Sequence, residues 1–236
     1  MRQGKNGQIR GTLKRRLMTN FLLTALIPVL IFAIISQINI QKRLKENLSD
    51  RIKSNLDTAE KNLEMVLDKY ETILYDFSTD EDVLEIVRAL NESRGDRESN
   101  STSLRKKLSH ICNQFTGVEG ITIQLKTGEI IYYESLSSFS GNETWADKVE
   151  IPKIERGAVY FGDGKPVKIA DKNHYMFYIA RNITDYRIIE NFQGTVVLSV
   201  NEERIRGAIA SDIGSREYLL SDDVIVSAPD PNKIGK

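Results

Sequence analysis

Val118–Tyr133 reads VEGITIQLKTGEIIYY. From Ile121 to Leu125 apolar and polar residues alternate, the period of a strand with one face on a core. Lys126-Thr127-Gly128-Glu129 has the composition of a turn, and Ile130–Glu134 resumes a β-branched and aromatic texture. The stretch predicts a β-hairpin. Ahead of it the pattern is helical, and after it mostly strand-like. Helices first, then a meander of antiparallel strands, is an α+β plan.

Working back from the hairpin, Leu104, Leu108, Ile111, Cys112 and Phe115 predict a short amphipathic helix. Asn91–Ser103 is polar, lacks periodicity and reads as an exposed loop. Ser78 followed by Glu81 has the spacing of a capping box ahead of Val83, Leu84, Val87 and Leu90. From Lys42 to Phe77 there is neither Pro nor Gly. Leu44, Leu48, Ile52 and Leu56 step by four, and Leu56, Ala59, Leu63, Val66, Tyr70, Ile73 and Phe77 follow a heptad seam. Such a helix would reach about 54 Å, too far for burial in one small domain. The spacing predicts a stalk that pairs with a second copy near Leu44–Leu56 and packs on its own domain beyond Leu63.

Leu17–Gln41 carries no charge over 25 residues and is flanked by Arg16 and Lys42. That length suffices to cross a bilayer core. Residues 1–16 are basic and contain no acid, which places them in the cytoplasm and residues 42–236 outside, in a single-pass arrangement. A cleaved signal peptide is the competing reading, but signal cores are shorter and end at small-x-small sites. The expected domains are a leader (1–16), a transmembrane helix (17–41), a helical stalk with further helices (42–115), a strand-rich module (116–211) and the start of a second module (212–236).

Beyond the hairpin, Ala158–Phe161 and Val167–Ala170 flank Gly162-Asp163-Gly164-Lys165, which reads as a turn. Tyr175–Asn182 and Gly194–Val200 bring the strands to about six. A short helix with Asn201 as its N-cap follows. Asp222-Asp223 reads as a turn between two short strands. Net charge is zero, so no nucleic-acid partner is expected. One cysteine excludes a disulfide scaffold. No nucleotide-binding glycine motif, nucleophile elbow or metal-ligand spacing is present, so neither catalytic residues, a metal site nor a cofactor is expected.

The basic leader, single span and long helix, with the 118–133 hairpin, the Trp145 segment, Arg181-Asn182-Ile183-Thr184-Asp185 and the step from Gly194 to Glu202, resemble the extracellular Cache (PAS-like) sensor region of bacterial sensor histidine kinases. Chemoreceptors and some diguanylate cyclases carry similar regions. The segment from Arg216 to Lys236 resembles the entry into a membrane-proximal module. The resemblance implies an N-terminal sensory part of a longer protein that binds a small molecule or an extracytoplasmic protein and dimerises through helix 42–77. A stand-alone anchored binding or scaffold protein is the alternative. In such modules the ligand lies between the sheet and covering loops. Tyr175, Phe177 and Arg181 share one strand face by period two. With Tyr133, Trp145 and Asp185 they make the candidate pocket, an aromatic box with Arg181 as carboxylate clamp. The bland alternative has the aromatics as core and Arg181 paired with Asp185.

Overall fold

The computed structural model describes residues 5–136, 144–155, 157–169, 172–187, 191–210 and 217–236. The first four residues of the expected leader, the lead-in to Trp145 (137–143) and residues 212–216 of the expected second module lie outside them. Contacts divide the chain into two units, Met1–Leu56 and Asp57–Lys236.

Helix α1 (Lys5–Thr79) includes Pro28. In the first unit it carries an 18-residue window of mean hydropathy 2.5 with none of it buried. It is long and apolar enough to cross a membrane. Leu44, Leu48, Ile52 and Leu56 are all exposed. In the second unit the same helix buries Tyr70, Ile73, Leu74 and Phe77. The seam beyond Leu63 is thus core, as its spacing predicts.

Helices α2 (Glu81–Asn91) and α3 (Arg97–Gln114) complete the helical layer. Val83, Leu84, Val87 and Leu90 line one side of α2, while Leu104, Leu108 and Cys112 line one side of α3. Two sequence expectations change here. The cap of α2 is Asp80, whose carboxylate accepts from the Val83 N–H at 3.0 Å, while Ser78 is buried with its hydroxyl donating to the Tyr75 carbonyl. The carboxylate at Asp80 is a stronger acceptor than the hydroxyl two residues earlier. The polar stretch 91–103 is helical from Arg97, because Asp96 caps it by accepting from Glu98 N–H at 3.1 Å. Its lack of periodicity reflects a helix that buries only one narrow stripe.

The sheet runs β2-β1-β5-β4-β3, antiparallel throughout. The strands are β1 (Val118–Leu125), β2 (Ile130–Glu134), β3 (Val159–Ile169), β4 (Lys172–Asp185) and β5 (Asn191–Asn201). Gln193–Val200 of β5 are buried without interruption. Both faces of the central strand are covered, so its sequence reads as a continuous apolar run with small polar residues rather than an alternation. One face carries Ile121, Ile123, Ile179, Ile183, Val196 and Leu198 against the helices. The other carries Met176, Tyr178, Ala180 and Val197 against the segment around Trp145 and Val149. Gly162–Lys165 is not a turn. It lies inside β3, where the pairing with β4 slips between those two residues, as a glycine-rich bulge does.

Asn201 caps α4 (Glu202–Ile209) by accepting from Glu203 N–H. A hairpin of β6 (Leu219–Ser221) and β7 (Val224–Ser227) turns at Asp222 and Asp223, both left-handed at φ 47° and 66°. The buried Glu202 carboxylate accepts from Ser227 Oγ and pairs with Arg206 at 3.4 Å. Arg206 also donates to the Ala228 carbonyl. This cluster fastens the hairpin to α4.

Asp80→Ala should cost about 1 kcal/mol through the lost cap. In thermal melts that lowers the midpoint by about 2–4 °C for a unit of this size. Ser78→Ala, which leaves the cap intact, should lower it less.

Candidate functional site

Trp145 opens a one-turn 3-10 segment, Trp145–Asp147, held by a reciprocal cap between Thr144 and Asp147. Its indole is fully buried on the sheet face away from the helices. The ring lies over Gly120, where an added Cβ would meet Cζ2 at 2.6 Å, and its Nε1 donates to Thr122 Oγ1 at 3.2 Å. Glycine at 120 is therefore what seats the tryptophan on β1. Asn182 Nδ2 pins the following segment by donating to the Ile154 carbonyl at 2.9 Å, and its Oδ1 accepts from Thr195 Oγ1.

Register across the sheet places Glu134, Gly120, Ser199 and Tyr178 in one row. The alternation that sets Ile131 and Tyr133 on the helices sets Glu134 on the Trp145 side. Three buried oxygens of this row have no hydrogen-bond partner among the described residues: Glu134 Oε2, Ser199 Oγ and Tyr178 Oη. Buried polar atoms are nearly always satisfied, so three in one row set this face apart. Burial raises the Glu134 carboxyl above its ordinary value, offset in part by the Leu136 N–H. Burial pushes the Tyr178 phenol up to about 12, helped by the nearby Glu150. The phenol is a neutral donor at physiological pH.

The expected aromatic box does not assemble. Of the six candidates, Trp145 alone lies on this face. Tyr133 and Phe177 pack against the helical core, and Tyr175 shares their side of β4 by alternation. Arg181 is buried on the helix side with its guanidinium 5.0 Å from the Tyr75 ring of α1, and its Nε has no partner. Asp185 pairs with Arg88 of α2 and with Arg187 Nε at 3.0 Å, not with Arg181. The choice of odd-numbered residues on β4 picked the face that the helices cover. Glu134, Tyr178 and Ser199 were missed because hydropathy cannot say which face of a doubly covered sheet is packed by helices. The signal was present in Gly120: a glycine inside a strand pattern marks a close approach, here by the lone tryptophan.

Besides a cleft of about 490 Å³ among Ile73, Phe77, Val83, His110 and Phe115, two more open on the helix side. One, of about 650 Å³, lies among α2, α3 and Arg187, but its cations Arg88, Arg94, Lys107 and Arg187 are each paired with a carboxylate. The other, about 240 Å³ and largely apolar, lies among Leu63, Leu67, Phe177, Ile205, Leu220 and Val226.

Comparison with solved structures places this geometry. The sensor domain of the V. cholerae histidine kinase DctB matches with a TM-score of 0.55 and 15% identity, over 80% of this chain and 69% of that one. The fold is Cache-like. The ligand-binding domain of the Pseudomonas fluorescens chemoreceptor CtaA, in complex with L-serine, is similar at TM-score 0.53 and 14% identity, over 81% of this chain and 77% of that one. A domain of a putative sensory box/GGDEF family protein from Vibrio parahaemolyticus is similar at TM-score 0.54 and 13% identity, over 80% and 74%. No family model matches the sequence, and no curated protein matches it. Within the Cache-like sheet, Trp145 stands on the face opposite the long helix.

Gly120→Ala should drive the indole off β1 and destabilise the fold by about 1–3 kcal/mol, the usual range for overpacking; a calorimetric melt measures it. The raised Glu134 pKa means the folded state holds that proton more tightly than the unfolded chain does. Its contribution to stability is present at low pH and is lost as pH rises through the raised value. Glu134→Gln should therefore flatten the fall in melting midpoint between acidic and neutral pH.

Proposed function

We propose that the chain is the extracytoplasmic sensing region of a membrane-bound signalling protein, with a histidine kinase as the favoured output and a chemoreceptor or diguanylate cyclase as the rivals. A small molecule binds on the Trp145 face, and α1 carries the response. The observation that carries this reading is the row of partnerless buried oxygens beside a tryptophan-bearing strap in a Cache-like fold. Histidine-kinase sensor domains among the similar folds support the output, as does the resemblance of the leader, span and stalk. The basic leader supports a cytoplasmic N-terminus. The exposed Leu44, Leu48, Ile52 and Leu56 stripe supports pairing with a second copy.

The former pocket candidates acquire a different role in this reading. Phe177 and Arg181 touch the helical layer from the reverse side of the strand that carries Tyr178, with Arg181 over Tyr75 of α1. A ligand that favours one placement of β4 over another would bias α1 through those contacts, since only differential affinity shifts an equilibrium. A scaffold protein would need no such row of unsatisfied atoms.

The test uses the full chain in lipid nanodiscs and the low-molecular-mass fraction of spent growth medium. The fraction should raise the melting midpoint saturably. Ser199→Ala, a near-isosteric change, should weaken that rise, and Tyr75→Ala on the helix side should preserve it. A rise that Ser199→Ala leaves intact and Tyr75→Ala removes would contradict the assignment of faces.

A further inference from the structure

Lys69 of α1 stands over the Phe115 ring at 6.0 Å, and Lys107 of α3 reaches Asp80 at 3.3 Å. These two contacts set the end of α1 and α3 antiparallel, and between them lies the cleft of about 490 Å³. The stretch of α1 from Lys69 to Thr79 is about 15 Å long. The cleft has an apolar floor. Ile73, Phe77 and Val83 are buried there, and Ile111 and Phe115 are partly buried. A cleft of this size, floored by aliphatic and aromatic side chains with a few polar groups at its rim, has the make-up of a small-molecule site.

The rim decides the chemistry. Lys106, His110 and Gln114 step by four along α3 and so share one lip. Asp76 stands on the α1 lip. Lys106, His110 and Asp76 are all exposed, which leaves their charged or donor groups in reach of an entering molecule. Two further charges at the rim are committed to one another: Lys107 bridges Asp80 at 3.3 Å and Asp82 at 3.1 Å, and Asp80 also caps α2. That leaves two cations, Lys69 at the closed end and Lys106 on the lip, against the one carboxylate of Asp76. A ring fits against Phe77 and Phe115. A carboxylate on that ring accepts from Lys106 and from an imidazole N–H of His110. An ammonium in its place meets the two cations as like charges.

We infer that the cleft between α1 and α3 is a second binding site, separate from the Trp145 face, for a monocarboxylate with an apolar body about the size of one aromatic ring. The ring occupies the floor and the carboxylate sits on the α3 lip at Lys106. Ile73 and Phe77 belong to α1, so the occupant touches that helix directly rather than through the sheet. This goes beyond the sensing role of the Trp145 face and does not depend on it.

The experiment titrates phenylacetate into the full chain in nanodiscs by isothermal calorimetry, with empty nanodiscs subtracted to remove partition into lipid. Phenethylamine and benzyl alcohol carry the same ring with a cation and with no charge. Phenylacetate should bind saturably and more tightly than either. Lys106→Glu alters an exposed side chain and should weaken binding about threefold or more, through a lost ion pair and a new repulsion. Ser199→Ala, on the opposite face, should leave it unchanged. Tighter binding of the amine, phenylacetate binding that Lys106→Glu leaves intact, or no saturable binding by the native chain each overturns the inference. Loss of binding in Ser199→Ala overturns it as well, by moving the ligand to the Trp145 face. A second copy seated over the cleft would block phenylacetate in the native chain and give a smaller oligomer on sedimentation of Lys106→Glu, which also overturns it. A melting-midpoint rise with the medium fraction beside any of these results leaves the sensing role standing.

Discussion

The fold of the second unit depends on β5 being covered on both faces. Its uninterrupted burial from Gln193 to Val200 means that each residue must suit one of two unlike surroundings. Val196, Leu198 and Val200 meet the helices, while Val197 meets the tryptophan segment. A one-residue slip would exchange the two sets and put Ser199 among the helices. The antiparallel neighbours β1 and β4 hold that register over most of their length, so the sheet acts as a partition with a different chemistry on each side.

The helix side pairs its charges, although Arg88 Nε and Arg181 Nε also lack a hydrogen-bond partner among the described residues. Asp185 is shared between Arg88 and Arg187, and Arg181 rests on an aromatic ring. On the other side Glu134, Ser199 and Tyr178 are left without partners. Buried polar atoms left unsatisfied cost stability. β5 also ties this row to the C-terminal hairpin, because three residues after Ser199 the chain reaches Glu202, the buried carboxylate that holds Ser227 and Arg206. The strand that carries part of the row thus continues directly into the cluster that fixes β6 and β7.

Much of this arrangement is legible in the sequence. The hairpin at 121–134, the cap at Asn201, the turn at Asp222-Asp223 and the buried seam beyond Leu63 follow from local patterns that tertiary packing does not override. The misreadings have physical causes. Asp80 outcompetes Ser78 as a cap. Arg97–Ser103 is helical although nearly all its residues are polar, because Leu104 and Leu108 supply the burial for the whole helix. The glycines at 162 and 164 read as a turn, yet the partner strand continues past them and absorbs them as a bulge. The candidate site failed on parity: period two says that Tyr175, Phe177 and Arg181 share a face but not which face. Only the close approach of Trp145 to Gly120 decides that, and it joins residues 25 apart.

Trp145 is the sole tryptophan of the chain, so its fluorescence reports on this face alone. The most direct measurement is acrylamide quenching of the full chain in nanodiscs, alongside Gly120→Ala. A sealed indole seated on β1 predicts blue-shifted emission that acrylamide barely quenches, with a red shift and strong quenching in the variant. Ready quenching of the native chain, unchanged by Gly120→Ala, would contradict the seat of Trp145 on the sheet and with it the division into a tryptophan face and a helix face.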